Sequence, residues 1–154
     1  MTLMRKPSLS PRSFVLLLAG LVMLGVASPV AAGRQQSEAM IQRGLAAADA
    51  GRLEEARGWY ERAVVQFPAS ADAYAWLGRT EAELGERRNA RKYYRTALEI
   101  DPNHADALSW SGQLELFEGN REAAAAKLER LSRTCADCPQ TAALRRVLDA
   151  SSLN

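Results

Sequence analysis

The sequence predicts an all-α solenoid, with three helical hairpins stacked in line and closed by one further helix. Three observations carry this expectation. Residues recur at a 34-residue step, as in Gly44, Gly78 and Gly112, then Gly51, Gly85 and Gly119, then Ala56, Ala90 and Ala124. Tyr60, Tyr94 and Leu128 keep the step, as do Ala63, Ala97 and Leu131. Each step also holds two stretches with apolar residues at helical spacing, and glycine or proline punctuates their ends.

Composition bounds the rest. The 154 residues are 47% hydrophobic and 25% charged, which is globular and not disordered. Two cysteines and one histidine exclude a four-ligand zinc site and a multi-histidine metal centre. No phosphate loop, nucleophile motif or paired-carboxylate motif stands out, and no cofactor is implied.

The first stretch reads as an export signal. Arg5, Lys6 and Arg12 precede an uncharged run of thirteen residues, Phe14 to Val26. A bilayer span needs about 20 apolar residues, so this run has the length of a signal-peptide core. Val30-Ala31-Ala32 then offers small residues for cleavage after Ala32. No cysteine stands near the site for a lipid anchor, and no Arg-Arg pair precedes the run. Removing the leader's three basic residues from the chain's 20 leaves 17 against 18 acidic ones, a net charge of −1. Nucleic acid is thereby excluded as an expected partner, and so is a membrane once the leader is gone.

The expected organisation is a leader (1–32), a linker (33–36), repeats at 37–70, 71–104 and 105–138, and a capping helix with its tail (139–154). Within the repeats the first helices span about 37–49, 71–84 and 105–118. The second helices span about 53–67, 87–100 and 121–134. Gly51, Gly85 and Gly119 fall just past the first helices, where a left-handed residue is wanted. Pro68 and Pro102 stop the second helices. Ser70 and Asn103 are the expected N-caps. Pro139 can open a last helix, on which Ala143, Leu144, Val147 and Leu148 share a face, and Ser151 to Asn154 should fray. His104 reads as a solvated turn residue, and the Glu54-Glu55 and Arg87-Arg88 pairs as solvated helix faces.

These columns resemble the tetratricopeptide repeat. The second unit carries most of the pattern in Tyr74, Leu77-Gly78, Ala90, Tyr94, Ala97 and Pro102. It departs at Glu81, where the family has an aromatic. The first unit has Arg43 where leucine is usual, and the third lacks the closing proline. The resemblance implies a right-handed superhelix whose first helices line a concave, peptide-binding groove. The positions it assigns to that groove are Glu38, Ile41, Gln42, Leu45, Ala48 and Asp49 in the first unit. In the second they are Asp72, Ala75, Trp76, Arg79, Ala82 and Glu83. In the third they are Asp106, Ser109, Trp110, Gln113, Leu116 and Phe117. Trp76 and Trp110 should lie side by side as anchors for a partner. Glu38, Asp72 and Asp106 form an acidic column that serves either the helix dipoles or basic flanks of that partner. The clamp by which some family members hold a terminal carboxylate is missing, since Ile41 and Leu45 take its first places.

Cys135 and Cys138 form C-A-D-C after the third repeat. A haem attachment site fails because Pro139 follows where histidine is needed, and metal binding would need ligands from elsewhere. A thiol–disulfide redox centre normally sits in a βαβ context. A structural disulfide formed after export is the expected state, restricting the unfolded chain by about 2 kcal/mol. The expected function is a non-catalytic adaptor in the cell envelope that binds a protein or peptide segment. A thiol–disulfide redox protein and a permanent subunit of an envelope complex are its rivals. The exported form is expected to begin at Gly33, which the intact mass of protein purified from the envelope decides. A mass that keeps the leader would refute cleavage.

Overall fold

The computed structural model describes residues 29–151. The basic start, the apolar run of the leader and residues 152–154 lie outside them. Seven helices and no strand occur among the described residues: α1 (Pro29–Asp49), α2 (Leu53–Gln66), α3 (Ala71–Glu83), α4 (Arg87–Ile100), α5 (Ala105–Phe117), α6 (Arg121–Thr134) and α7 (Pro139–Ala150). Consecutive helices pair as hairpins, α1 with α2, α3 with α4 and α5 with α6, and each hairpin leans on the next. None of these helices is long and apolar enough to cross a membrane.

The hairpins form because each first helix lets its partner approach at one small residue. A Cβ on Gly44 would lie 2.4 Å from the Tyr60 ring, and one on Gly78 would lie 2.8 Å from Tyr94. Tyr60 and Tyr94 are buried there, over the fully buried Ala56 and Ala90. Rings this close replace backbone exposure with dispersion contact, which offsets the roughly 1 kcal/mol that a mid-helix glycine costs. In the third hairpin Leu128 stands in the tyrosine column, and Gly112 meets Leu144 of α7 instead, at 2.7 Å from an added Cβ. Turn glycines do different work. Gly51, Gly85 and Gly119 have φ of 73°, 85° and 86°, the left-handed region that ends a helix without a Cβ penalty.

The closing helix continues the repeat. α3, α5 and α7 begin at residues 71, 105 and 139, on the 34-residue step. Leu144 follows Trp76 and Trp110 in one column, and fully buried Thr141 follows Ala73 and Ala107 in another. α7 therefore stands in the register of a first helix. It packs on α5 and α6, and Leu144 and Leu148 are buried. Val147, expected on that same face, is exposed.

The first helix departs from expectation. Residues 29–36, read as a cleavage region and a linker, are helical and continuous with α1. Three contacts hold this stretch and the turn after it to the end of α2. Gly33 lies against the Gln66 carbonyl, the Arg34 guanidinium sits 5.2 Å from the Phe67 ring centre, and buried Ser37 donates to the Ala63 carbonyl at 3.0 Å. Glu81 is buried where the family pattern has an aromatic, and its carboxylate accepts from the Asn89 amide at 3.3 Å.

The N-caps also lie on the 34-residue step, at Ser70, His104 and Cys138. Ser70 Oγ accepts from the Ala73 N–H at 3.2 Å, as expected. At the next boundary Asn103 is displaced from the role. It accepts from the Arg130 guanidinium, and His104 Nδ1 takes the Ala107 N–H at 3.2 Å. His104 is not a solvated turn residue. Its Nε2 donates to Asp72 Oδ1 at 2.9 Å, and its side chain is only 11% exposed. With Nδ1 accepting, the proton belongs on Nε2, so the neutral ring satisfies both bonds. Burial pushes the imidazole pKa down, but the Asp72 hydrogen bond and charge, with Asp106 and Asp101 behind it, raise it overall. The same bond holds the Asp72 carboxyl below its ordinary value, against burial.

Two predictions follow from this packing. Gly44→Ala should destabilise the fold by about 1–3 kcal/mol through overpacking. Gly58→Ala, whose Cβ meets nothing within 4 Å, should stabilise it by about 0.5–1 kcal/mol. Denaturant melts of both variants check this, and a G44A protein as stable as wild type would contradict the close approach. The second concerns pH. A raised histidine pKa contributes stability that is complete below the ordinary value of 6.5 and is lost as pH rises through the folded value. The lowered Asp72 pKa contributes stability above 3.8 that is lost as pH falls through its folded value. The pair is therefore strongest between the two folded values. Thermal melts should show stability falling as pH rises above 6.5, with the slope flattened in Asp72→Asn.

Candidate functional site

α3, α5 and α7 present a common face, and the start of α4 closes one end of it. Between them lies an open cleft of about 550 Å³. The expected residues Arg79, Trp110, Gln113 and Phe117 all line it. Phe117 is 68% exposed at the last turn of α5, with the Arg87 guanidinium 4.1 Å from its ring centre. Arg79 covers the Trp110 ring at 4.9 Å and pairs with Glu83 at 2.9 Å. Gln113 donates to Ser109 Oγ at 3.2 Å, and Ser109 Oγ donates to the Gln140 carbonyl of α7 at 3.1 Å. The polar wall of the cleft is thus braced from behind.

Trp76 and Trp110 are neighbours as expected, with ring centres 4.7 Å apart and planes inclined by 57°. Trp76 also stacks on Tyr60, at 6.3 Å and 17°. Both tryptophans are half-buried. Trp76 packs against the core of the first hairpin and stands behind Trp110, outside the cleft lining. It supports the site from below. The column Ile41, Ala75 and Ser109, assigned to the groove by resemblance, is buried between hairpins.

The acidic column does not border the cleft. Asp72 is held by His104, and Asp106 accepts from the Gln140 amide at 2.8 Å. Each carboxylate therefore ties one unit to the start of the next first helix. Glu38 and Asp72 instead line a smaller recess of about 190 Å³ with Arg34 and Phe67.

Arg87 and Val147 complete the cleft lining and were missed in the sequence reading. Arg87 lies on a second helix, where no groove position was assigned, and Val147 lies on the closing helix, outside the three units in which groove positions were assigned. One signal was available: residues at the 34-residue step from Arg79 and Gln113 place Val147 in the same column. Tyr60 and Tyr94 lie beneath this face, and burial pushes the Tyr60 phenol up to about 12, with Asp49 adding to it.

Cys135 and Cys138 are free thiols here, so the expected cross-link is not formed in this structure. Cys138 Sγ donates to the Cys135 carbonyl at 3.1 Å and lies 3.4 Å from Thr141 Oγ1. No group of three or more metal-ligating side chains occurs among the described residues.

The sequence matches the tetratricopeptide-repeat family over residues 37–80 and 71–104. No curated protein matches it. Among solved structures, the chain is similar to Pseudomonas aeruginosa pilF, with a TM-score of 0.73 and 28% identity. That match covers 79% of this chain and 55% of pilF, so the chain spans about half the length of that relative. The Arabidopsis OM64 TPR domain superposes with a TM-score of 0.69 at 20% identity, over 77% of this chain and 98% of that one. The second TPR domain of human RPAP3, solved with the HSP70 peptide SGPTIEEVD, gives 0.68 at 19%, over 78% and 98%. At such identities the last two show the fold alone. With the repeat columns, the hairpin packing and both family matches in agreement, residues 37–104 carry tetratricopeptide repeats.

Proposed function

We propose that the protein is a non-catalytic adaptor of the cell envelope, exported by a leader cut after Ala32, that holds an apolar segment of a partner protein in the α3–α5–α7 cleft. The observation that carries the reading is Phe117, a large aromatic left 68% exposed at the rim of a concave site floored by Trp110. Burying such a ring is worth about 1.5–3 kcal/mol, and a solenoid that forgoes this at a cleft mouth leaves it available to a ligand. Cleavage after Ala32 is compatible with the fold, because the contacts of Gly33, Arg34 and Ser37 would all remain.

The charge at the cleft shapes the partner. Arg79 and Arg87 face it against one carboxylate, Glu83, while Asp72 and Asp106 are occupied elsewhere. A segment with an apolar anchor beside an acidic residue therefore fits better than the basic-flanked one that the acidic column suggested. The HSP70 peptide held by the human RPAP3 domain also carries acidic residues, but here Ile41 is buried where the resemblance puts the carboxylate clamp. A free C-terminal carboxylate is thus not what the site selects.

The test compares two truncations by melting and by titration with peptides that place a leucine or phenylalanine beside glutamate. Phe117→Ala should keep wild-type stability within about 0.5 kcal/mol and weaken binding by roughly tenfold or more. Trp76→Ala should instead cost about 2–4 kcal/mol of stability, because it removes a ring packed on Tyr60 and the first core. Peptide binding by F117A equal to wild type would remove the cleft from recognition.

A further inference from the structure

The corner between α6 and α7 carries chemistry that peptide binding does not use. Cys138 holds the N-cap position of α7, as Ser70 and His104 do for α3 and α5, but its sulfur makes no cap bond and lies 3.1 Å from the Cys135 carbonyl. The N-terminus of a helix carries partial positive charge, so this location favours a thiolate over a thiol. Thr141, fully buried, sets the geometry: its hydroxyl donates to the Cys135 carbonyl at 2.6 Å and lies 3.4 Å from Cys138 Sγ. Cys135 ends α6, three residues away, and neither cysteine is buried.

We propose that Cys135 and Cys138 form a thiol–disulfide exchange site in which Cys138 is the attacking sulfur, Cys135 the resolving one, and a low-molecular-weight disulfide the oxidant. The Cys138 thiolate attacks one sulfur of the incoming disulfide. A new S–S bond forms, and the other half leaves as a thiolate. Cys135 then releases its proton to solvent and attacks Cys138, forming the intramolecular disulfide and expelling the second thiolate. The pair loses two electrons and two protons, and the oxidant becomes two thiols. Each chain reacts once, so the product is a covalent state of this protein, with the end of α6 tied to the start of α7.

The two sulfurs are electrostatically unlike. Burial pushes the Cys138 thiol up, but Cys135 and the polar groups of Thr141 and Gln140 around it bring it below its ordinary value. The hydrogen bond to Cys138 pushes Cys135 up, and burial and Asp137 add to that. This is the order that attack by Cys138 requires, because exchange proceeds through the thiolate.

The experiment treats the purified full chain with oxidised glutathione and reads the products by intact mass and peptide mapping. Wild type should lose two hydrogens and retain no glutathione. Cys135→Ser should trap a stable glutathione adduct on Cys138. Cys138→Ser keeps a good N-cap and so should fold, as its melt would show, but its adduct on Cys135 should form about tenfold more slowly. The rate for C135S should also rise at lower pH than the rate for C138S. Equal rates in the two variants would overturn the assigned order, and wild type keeping two free thiols in excess oxidant would overturn the site itself.

Discussion

The solenoid depends on how near the second helix of each hairpin comes to the first. That distance is set at Gly44 and Gly78, where an aromatic ring occupies the space a Cβ would take. With Tyr60 sunk there, its ring stacks on Trp76, and Trp76 in turn supports Trp110. One aromatic series thus runs from the core of the first hairpin to the floor of the cleft. A wider spacing between α1 and α2 would be felt at Trp110, three helices further on, because packed interiors transmit displacement and do not absorb it.

The second constraint is the junction between units, where every first helix begins with unpaired N–H groups. The structure meets the need with a serine hydroxyl at one junction and a histidine ring nitrogen at the next, and the third places a cysteine at the same position without a side-chain cap. The hydroxyl has no charge to change. The imidazole is tied to Asp72, so its junction depends on pH, and the sulfur stands beside a second thiol. One position in the repeat thus gives three junctions with different sensitivities. They are ordered along the chain from the least responsive to the most.

Much of the fold was legible because the repeat is written in residues that do backbone work. Positive-φ glycines, helix-stopping prolines and close-approach glycines have few substitutes, so their spacing located six helices to within about two residues at each end. The start of α1 was hidden, because residues 29–36 have no apolar stripe and owe their helix to contacts with the end of α2. The site was less legible. His104 meets Asp72 across a unit boundary, a relation that no local pattern shows, and a lone histidine in a polar turn gives no sign of it. Arg87 was set aside as a solvated face. Its stem and guanidinium do stand in solvent, yet they also cover Phe117. Of the positions that the resemblance assigned to a groove, Trp110 and Phe117 line the cleft. The resemblance misdirected for Ala75 and Ser109, because that column turns inward between hairpins.

The closing helix decides what sort of cleft this is. In an open stack, the face of α5 would be a shallow wall, and Phe117 and Trp110 would lie on a surface exposed along one side. α7 continues the register and presents Val147 opposite that wall while burying Leu144 against Gly112. Arg121 binds the Leu148 carbonyl at 2.8 Å, which fixes the far end of α7 to α6. The other end is fixed by the Thr141 and Gln140 hydrogen bonds, beside the two cysteines. A helix held at both ends but packed on only two neighbours is the least supported wall of the site. Its position is governed by the polar contacts at those ends more than by buried area. The width of the cleft is therefore set by a few hydrogen bonds at the α6–α7 corner and at Arg121, and the apolar floor contributes depth.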